Sequence, residues 1–107
     1  MSTNPVNLIV VATPSDQTTT ANNPVADGIK ANAVNSDSSQ TLTYSATGLP
    51  DGISIDSSTG IFNGTPTTVA DAVTVTVSVI DETGATASGT FNWTIVEPPP
   101  IVINMDF

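Results

Sequence analysis

Any chemistry in this chain has to be done by oxygen. The sequence holds no cysteine and no histidine, a single basic residue, Lys30, and ten carboxylates. Without imidazole or thiol, the commonest general base, the usual nucleophile pairings and most transition-metal sites are out of reach. Carboxylate and hydroxyl oxygens remain, and the cation that suits them is calcium, which takes about six to eight oxygens at about 2.3–2.6 Å. Asp16, Asp37, Asp81 and Glu82 all stand at or beside turn-rich sequence and are the candidate ligands. A plainer role exists for each, because carboxylates in turns accept hydrogen bonds from nearby backbone amides. Asp51 and Asp56 could pair as acid and base, but turn roles account for both. No catalytic constellation can be assembled, and the chain is read as non-enzymatic.

The elements that must position these carboxylates are strands. From Leu42 to Pro66 the sequence reads LTYSATGLPDGISIDSSTGIFNGTP, where short alternating runs are cut by turns at Gly48–Gly52, Ser57–Gly60 and Gly64–Pro66. Leu42, Tyr44 and Ala46 share one face of a strand, as do Ile53 and Ile55. Val73, Val75, Val77 and Val79 alternate with Thr74, Thr76 and Ser78, and this strand should be central. The turn Asp81–Gly84 then leads into an antiparallel return, Thr86–Val96, with Phe91, Trp93 and Ile95 on one face. Upstream, Leu8–Val11, Thr18–Thr20 and Ile29–Val34 are further short strands. The small inner face of Ile29–Val34 (Ile29, Ala31, Ala33) suggests a bulky neighbour such as Trp93. Thr67–Ala72 reads as a loop. With no sustained helical period anywhere, the fold class is all-β, an antiparallel sandwich of about seven strands.

The order GLPDGISIDSSTGIFNGTP, preceded by LTYSAT and followed by a Val/Thr strand and DETGATAS, resembles the immunoglobulin-like, dystroglycan-type cadherin-like modules that recur in tandem in bacterial surface and secreted proteins. The resemblance runs from about Pro14 to Val96. It implies a seven-stranded immunoglobulin/cadherin-like sandwich used as a spacer, adhesion or accessory module, sometimes with calcium between neighbours. In such a sandwich the loop Asn35–Gln40, the turn Asp81–Gly84 and the start at Asp16 should lie at one end, gathering Asp16, Asp37, Asp81 and Glu82. Related modules carry an aspartate-rich loop like DPDGD where this chain has Asn35-Ser36-Asp37-Ser38-Ser39, so only one of those aspartates is kept.

The domain plan is an N-terminal edge strand or interdomain segment at 1–13, the sandwich at 14–97, and a proline linker with an apolar tail at 98–107. Ile101–Met105 reads either as the first strand of a following domain or as a strand that adds to an exposed sheet edge, in its own chain or a neighbour's. A formal net charge of −9 disfavours nucleic acid and anionic lipid surfaces, and no apolar run approaches the about 20 residues of a membrane helix. The first residues lack the basic and apolar regions of a signal peptide.

Partners are therefore neighbouring domains, other copies, or a polysaccharide. For the last, Phe62 is the candidate, since it follows an inward Ile61 and should point outward. Lys30, the only lysine, and Asn92 would be the pair for an internal isopeptide crosslink, but alternation turns both outward, away from the buried site such a bond needs. Asn63 and Asn92 fall in glycosylation-type triplets that chance explains. The expected role is a non-catalytic extracellular or cell-surface spacer or adhesion module. The alternatives are an accessory binding domain, with or without calcium, and a phage decoration domain.

Overall fold

Valine alternating with threonine or serine makes a strand with one face that must be buried and one that must not. In the computed structural model, which describes residues 8–26, 28–37 and 39–99, that run lies inside a four-stranded sheet. The strands are β1 (Ile9–Ala12), β2 (Gln17–Thr20), β3 (Asn32–Asn35), β4 (Thr43–Thr47), β5 (Ile53–Ile55), β6 (Phe62–Gly64), β7 (Ala70–Ile80) and β8 (Thr86–Val96), with no helix among the described residues. The larger sheet has the order β2-β8-β7-β4, and the remaining strands pair as β1-β3 and β5-β6. An antiparallel bridge between Lys30 and Ile61 joins those two pairs. Ala31 N–H donates to Gly60 C=O and Phe62 N–H to Ile29 C=O, both at 2.9 Å. The second layer therefore runs β1-β3-β6-β5.

The core lies between the layers. β7 supplies Val75, Val77 and Val79, β8 supplies Phe91, Trp93 and Ile95, and all six are buried. Opposite residues of an antiparallel pair share a face, and the register sets Val75 against Phe91 and Val73 against Trp93. Phe62 stands edge-on to both rings, with centroids 5.5 Å from Phe91 and 5.6 Å from Trp93. Trp93 is fully buried, and its Nε1 donates to Thr19 Oγ1 at 2.9 Å, so its one polar atom has a partner. Farther up β8 the inner face carries Gly89. A methyl there would come within 2.9 Å of Thr13 Cγ2, so a larger residue would push β1 and its exit away from the sheet.

Several expectations are corrected. Phe62 points inward and is 1% exposed, while Ile61 is 37% exposed. The β5–β6 register explains this: Ile55 is opposite Phe62, so the ring shares the face of Ile53 and Ile55. The segment 67–72 is not wholly loop, because β7 begins at Ala70. Ala70 pairs with Ile95 and Val73 with Trp93, leaving Asp71 and Ala72 opposite Thr94. Two residues against one is a β-bulge, and Ala72 takes a positive φ of 29° within it. The sandwich is antiparallel except at one place, where β2 runs parallel to β8.

Candidate functional site

Three of the four candidate carboxylates meet at one pole of the sandwich. There β3 ends, β7 turns into β8, and the chain comes in through Leu8. Leu8 N–H donates to Ser36 Oγ and Ser36 N–H to Leu8 C=O, both at 2.9 Å. Asn35, the last residue of β3, donates from Nδ2 to Asp81 Oδ2 at 2.8 Å. Asp81 Oδ1 accepts from Thr83 N–H at 2.8 Å, Thr83 Oγ1 at 2.6 Å and Ala85 N–H at 3.0 Å. The residue is buried, and its carboxylate is held down at about 2, chiefly by the Thr83 hydroxyl; desolvation opposes this, and Asn35 and the two backbone amides add to it.

Asp37 repeats the device in the β3–β4 loop. Its Oδ1 accepts from Ser39 N–H at 3.0 Å and Ser39 Oγ at 2.6 Å, and its Oδ2 from Gln40 Nε2 at 3.4 Å. These bonds, the Ser39 hydroxyl first, lower its pKa against desolvation and the neighbouring charge of Asp81. Glu82 ties the two loops together. Its Oε1 accepts from Thr41 N–H at 2.9 Å, and its own N–H donates to Gln40 Oε1 at 3.1 Å.

Asp16 is elsewhere, which corrects the expected grouping. Gln17 lies opposite Trp93, and Asn92 N–H donates to Asp16 Oδ1 at 2.9 Å. Since β8 leaves the pole at Thr86, Asp16 lies about 20 Å down the sheet at about 3.3 Å per residue. The physical reason is that the first strand is split. β1 pairs with β3 in one layer, the chain crosses over at Thr13–Ser15, and β2 then joins the other layer. Asp16 therefore marks the crossover and not the start of the sandwich. Among the described residues, no group of three or more His, Cys, Asp or Glu side chains is arranged to hold a metal ion.

What the pole does with its carboxylates is hold backbone. Asn35, Ser39, Gln40 and Thr83 are the partners that sequence reasoning did not single out. A signal for two of them was present: Asp37-x-Ser39 and Asp81-x-Thr83 have the same spacing as Asp56-x-Ser58. In the last, Asp56 Oδ1 accepts from Ser58 N–H at 2.8 Å and Ser58 Oγ at 2.7 Å, with the same downward shift, led by the Ser58 hydroxyl. In each, an aspartate captures the amide and hydroxyl two residues on.

The remaining candidates separate. Lys30 sits on one layer, bridged to Ile61, while Asn92 is on β8 in the other and accepts from Thr74 Oγ1 at 3.2 Å, so the crosslink has no geometry. Asn63 is exposed on β6, its Oδ1 accepting from Ser54 Oγ at 3.1 Å. Tyr44, Phe62, Phe91 and Trp93 are all buried, so the described residues present no exposed aromatic face on which a sugar could stack. The proposed strand at Ile101–Met105 lies outside the described residues.

Comparison with known proteins agrees with this architecture. Two solved structures from Bacteroides fragilis NCTC 9343 are similar, a "putative alpha-galactosidase" (TM-score 0.61, 23% identity) and a "putative alpha-galactosidase/melibiase" (TM-score 0.60, 17% identity). Each likeness covers 81% of this chain but 17% of the other, and at these identities it shows the fold alone. No curated protein matches. The family described as "Putative Ig domain" matches residues 7–96, and the chain belongs to that family of immunoglobulin-like domains.

Proposed function

We propose that this domain is a non-catalytic spacer within a longer, multidomain extracellular protein. The observation that carries the reading is the polarity of the sandwich. The chain comes in at the pole of Asn35 and Asp81, where Leu8 is tied to Ser36, and leaves at the opposite pole after Val96. The 11 residues of β8 separate the two by about 33 Å. Glu97-Pro98-Pro99 follows directly, and consecutive prolines favour a stiff, extended connection. Domains linked this way add their lengths, because each passes the chain from one end to the other. The small share of the two larger bacterial chains covered by the likeness fits a unit that has neighbours.

Small-angle X-ray scattering on two copies joined through Glu97–Pro100 tests this. A maximum dimension of at least about 80 Å is expected from two sandwiches and a linker; a collapsed side-by-side pair would overturn the reading. A second reading, an accessory domain that binds polysaccharide beside a catalytic domain, draws on the likeness to segments of the two galactosidase-type chains. Burial of the four aromatic rings among the described residues argues against it. Retardation of the protein in native gels containing galactose polymers would replace the spacer with this reading, and unchanged migration is expected.

A further inference from the structure

We propose that Asn63 and Gly64 form a self-modification site, at which the Gly64 backbone nitrogen closes on the Asn63 side-chain amide with help from the Ser54 hydroxyl. Asn63 is the one asparagine in the chain that is followed by glycine. The fold itself requires that glycine: its φ is +121°, and a Cβ there would run into the Gly52 carbonyl oxygen. The same lack of a Cβ leaves the Gly64 nitrogen unshielded as a nucleophile. Asn63 is exposed, so water reaches its amide, and Ser54 Oγ donates to Asn63 Oδ1 at 3.1 Å. Attack on Cγ builds negative charge on that oxygen, and a hydroxyl already aimed at it stabilises the charge as it forms.

The reaction needs only the chain and water. The bond from Gly64 nitrogen to Cγ forms, the Cγ–Nδ2 bond breaks, and Nδ2 leaves as ammonia with the proton lost from the Gly64 nitrogen. Water then opens the cyclic imide at one carbonyl or the other, giving aspartate or isoaspartate. Ring closure requires the 63–64 peptide to rotate out of the extended conformation. That peptide lies at the end of the β5–β6 ladder, whose last pair is Ile53 and Gly64. Each strand has only 3 residues, so local opening there gates the reaction. Asn35 shows the contrast. Its Nδ2 donates to Asp81 and its Oδ1 accepts from Asp37 N–H at 2.9 Å, so both ends of that amide are held.

The two products act differently on the second layer. Aspartate keeps the backbone and puts its charge beside Lys30, which faces Ile61 and is a diagonal neighbour of position 63. Isoaspartate adds a methylene to the main chain between Phe62, which is in the core, and Gly64, whose C=O accepts from Val25 N–H at 3.0 Å. It therefore loosens β6 from its neighbours, and the site works as a slow, irreversible clock on that layer.

Ageing the folded chain at mildly alkaline pH and mapping its peptides by mass spectrometry tests this, with electron-transfer fragmentation to tell isoaspartate from aspartate. Asn63 should convert several-fold faster than Asn32 or Asn92, and the isoaspartate form should melt below the Asn63→Asp variant. Ser54→Ala should slow conversion several-fold at matched hydrogen-exchange protection of β6. Ser54→Thr, which keeps a hydroxyl at this exposed position, should restore the rate, and in urea all three chains should convert alike. Conversion at Asn63 no faster than at Asn32 and Asn92, or confined to urea, would overturn the proposal and make the sheet a shield. Equal folded rates for Ser54→Ala and Ser54→Thr would overturn it as well, because the hydroxyl would then have no part in the reaction.

Discussion

Removing the Phe62 ring would leave a cavity against Phe91 and Trp93, whose centroids stand 5.5 and 5.6 Å from it. Phe62→Ala should cost about 3–5 kcal/mol, read from urea unfolding, and a loss below about 1 kcal/mol would contradict the packing. Gly60 is a second sensitive residue. Its φ is +76°, and an added Cβ would sit 2.6 Å from Ala31 O and 3.0 Å from the Tyr44 ring. Gly60→Ala should destabilise by at least the about 1–2 kcal/mol of a left-handed backbone, because the carbonyl it meets cannot swing aside.

Asp81 sets a pH dependence. Its folded pKa of about 2 lies below the ordinary 3.8, so as pH falls the unfolded chain takes up protons first. The stability it contributes is therefore complete above about pH 4 and is lost as pH falls toward about 2. Asp37 and Asp56 shift in the same direction. The melting temperature should drop across that window, and Asp81→Asn should flatten the drop; an unchanged acid limb would remove Asp81 as its source.

At the scale of elements, the loops of the Asp81 pole are held by protein donors. Asp37, Asp81 and Glu82 each accept bonds from backbone N–H groups in the two loops. Millimolar calcium at constant ionic strength should therefore leave the melting temperature unchanged. A rise that disappears in Asp37→Asn would instead place a cation there. The strand pattern itself was legible: the Val73–Val79 alternation and its return through Phe91, Trp93 and Ile95 are found as read, with β7 between β8 and β4. The turn Ser57–Gly60 was legible too. The bulge at Asp71 and Ala72 was not, since nothing in VADAV reveals that Ala70 will pair with Ile95.

At the scale of the molecule, ten carboxylates face one lysine, and the folded state concentrates that charge. Added salt should raise the melting temperature by screening over about 10 Å or less; a fall would mean that specific ionic contacts outweigh the general repulsion. The same scale holds the polarity on which the spacer rests. It follows from the pairing of the first strands with β3 and then with β8, on either side of the crossover at Thr13–Ser15.

Local sequence suffices for the class of fold, the positions of the main turns, the valine and aromatic faces that form the core, and the lack of imidazole and thiol chemistry. These are local properties, carried by a period of two, by residues that favour turns and by composition. Tertiary pairing is what puts Phe62 inside and Ile61 outside. Two adjacent apolar residues satisfy either register, and the pairing with β5 makes the choice. It also decided that Asp16 stands about 20 Å from the pole it was expected to join, and that β2 lies parallel to β8. Contacts between strands more than seventy residues apart depend on which layer each strand enters, and no local pattern records that.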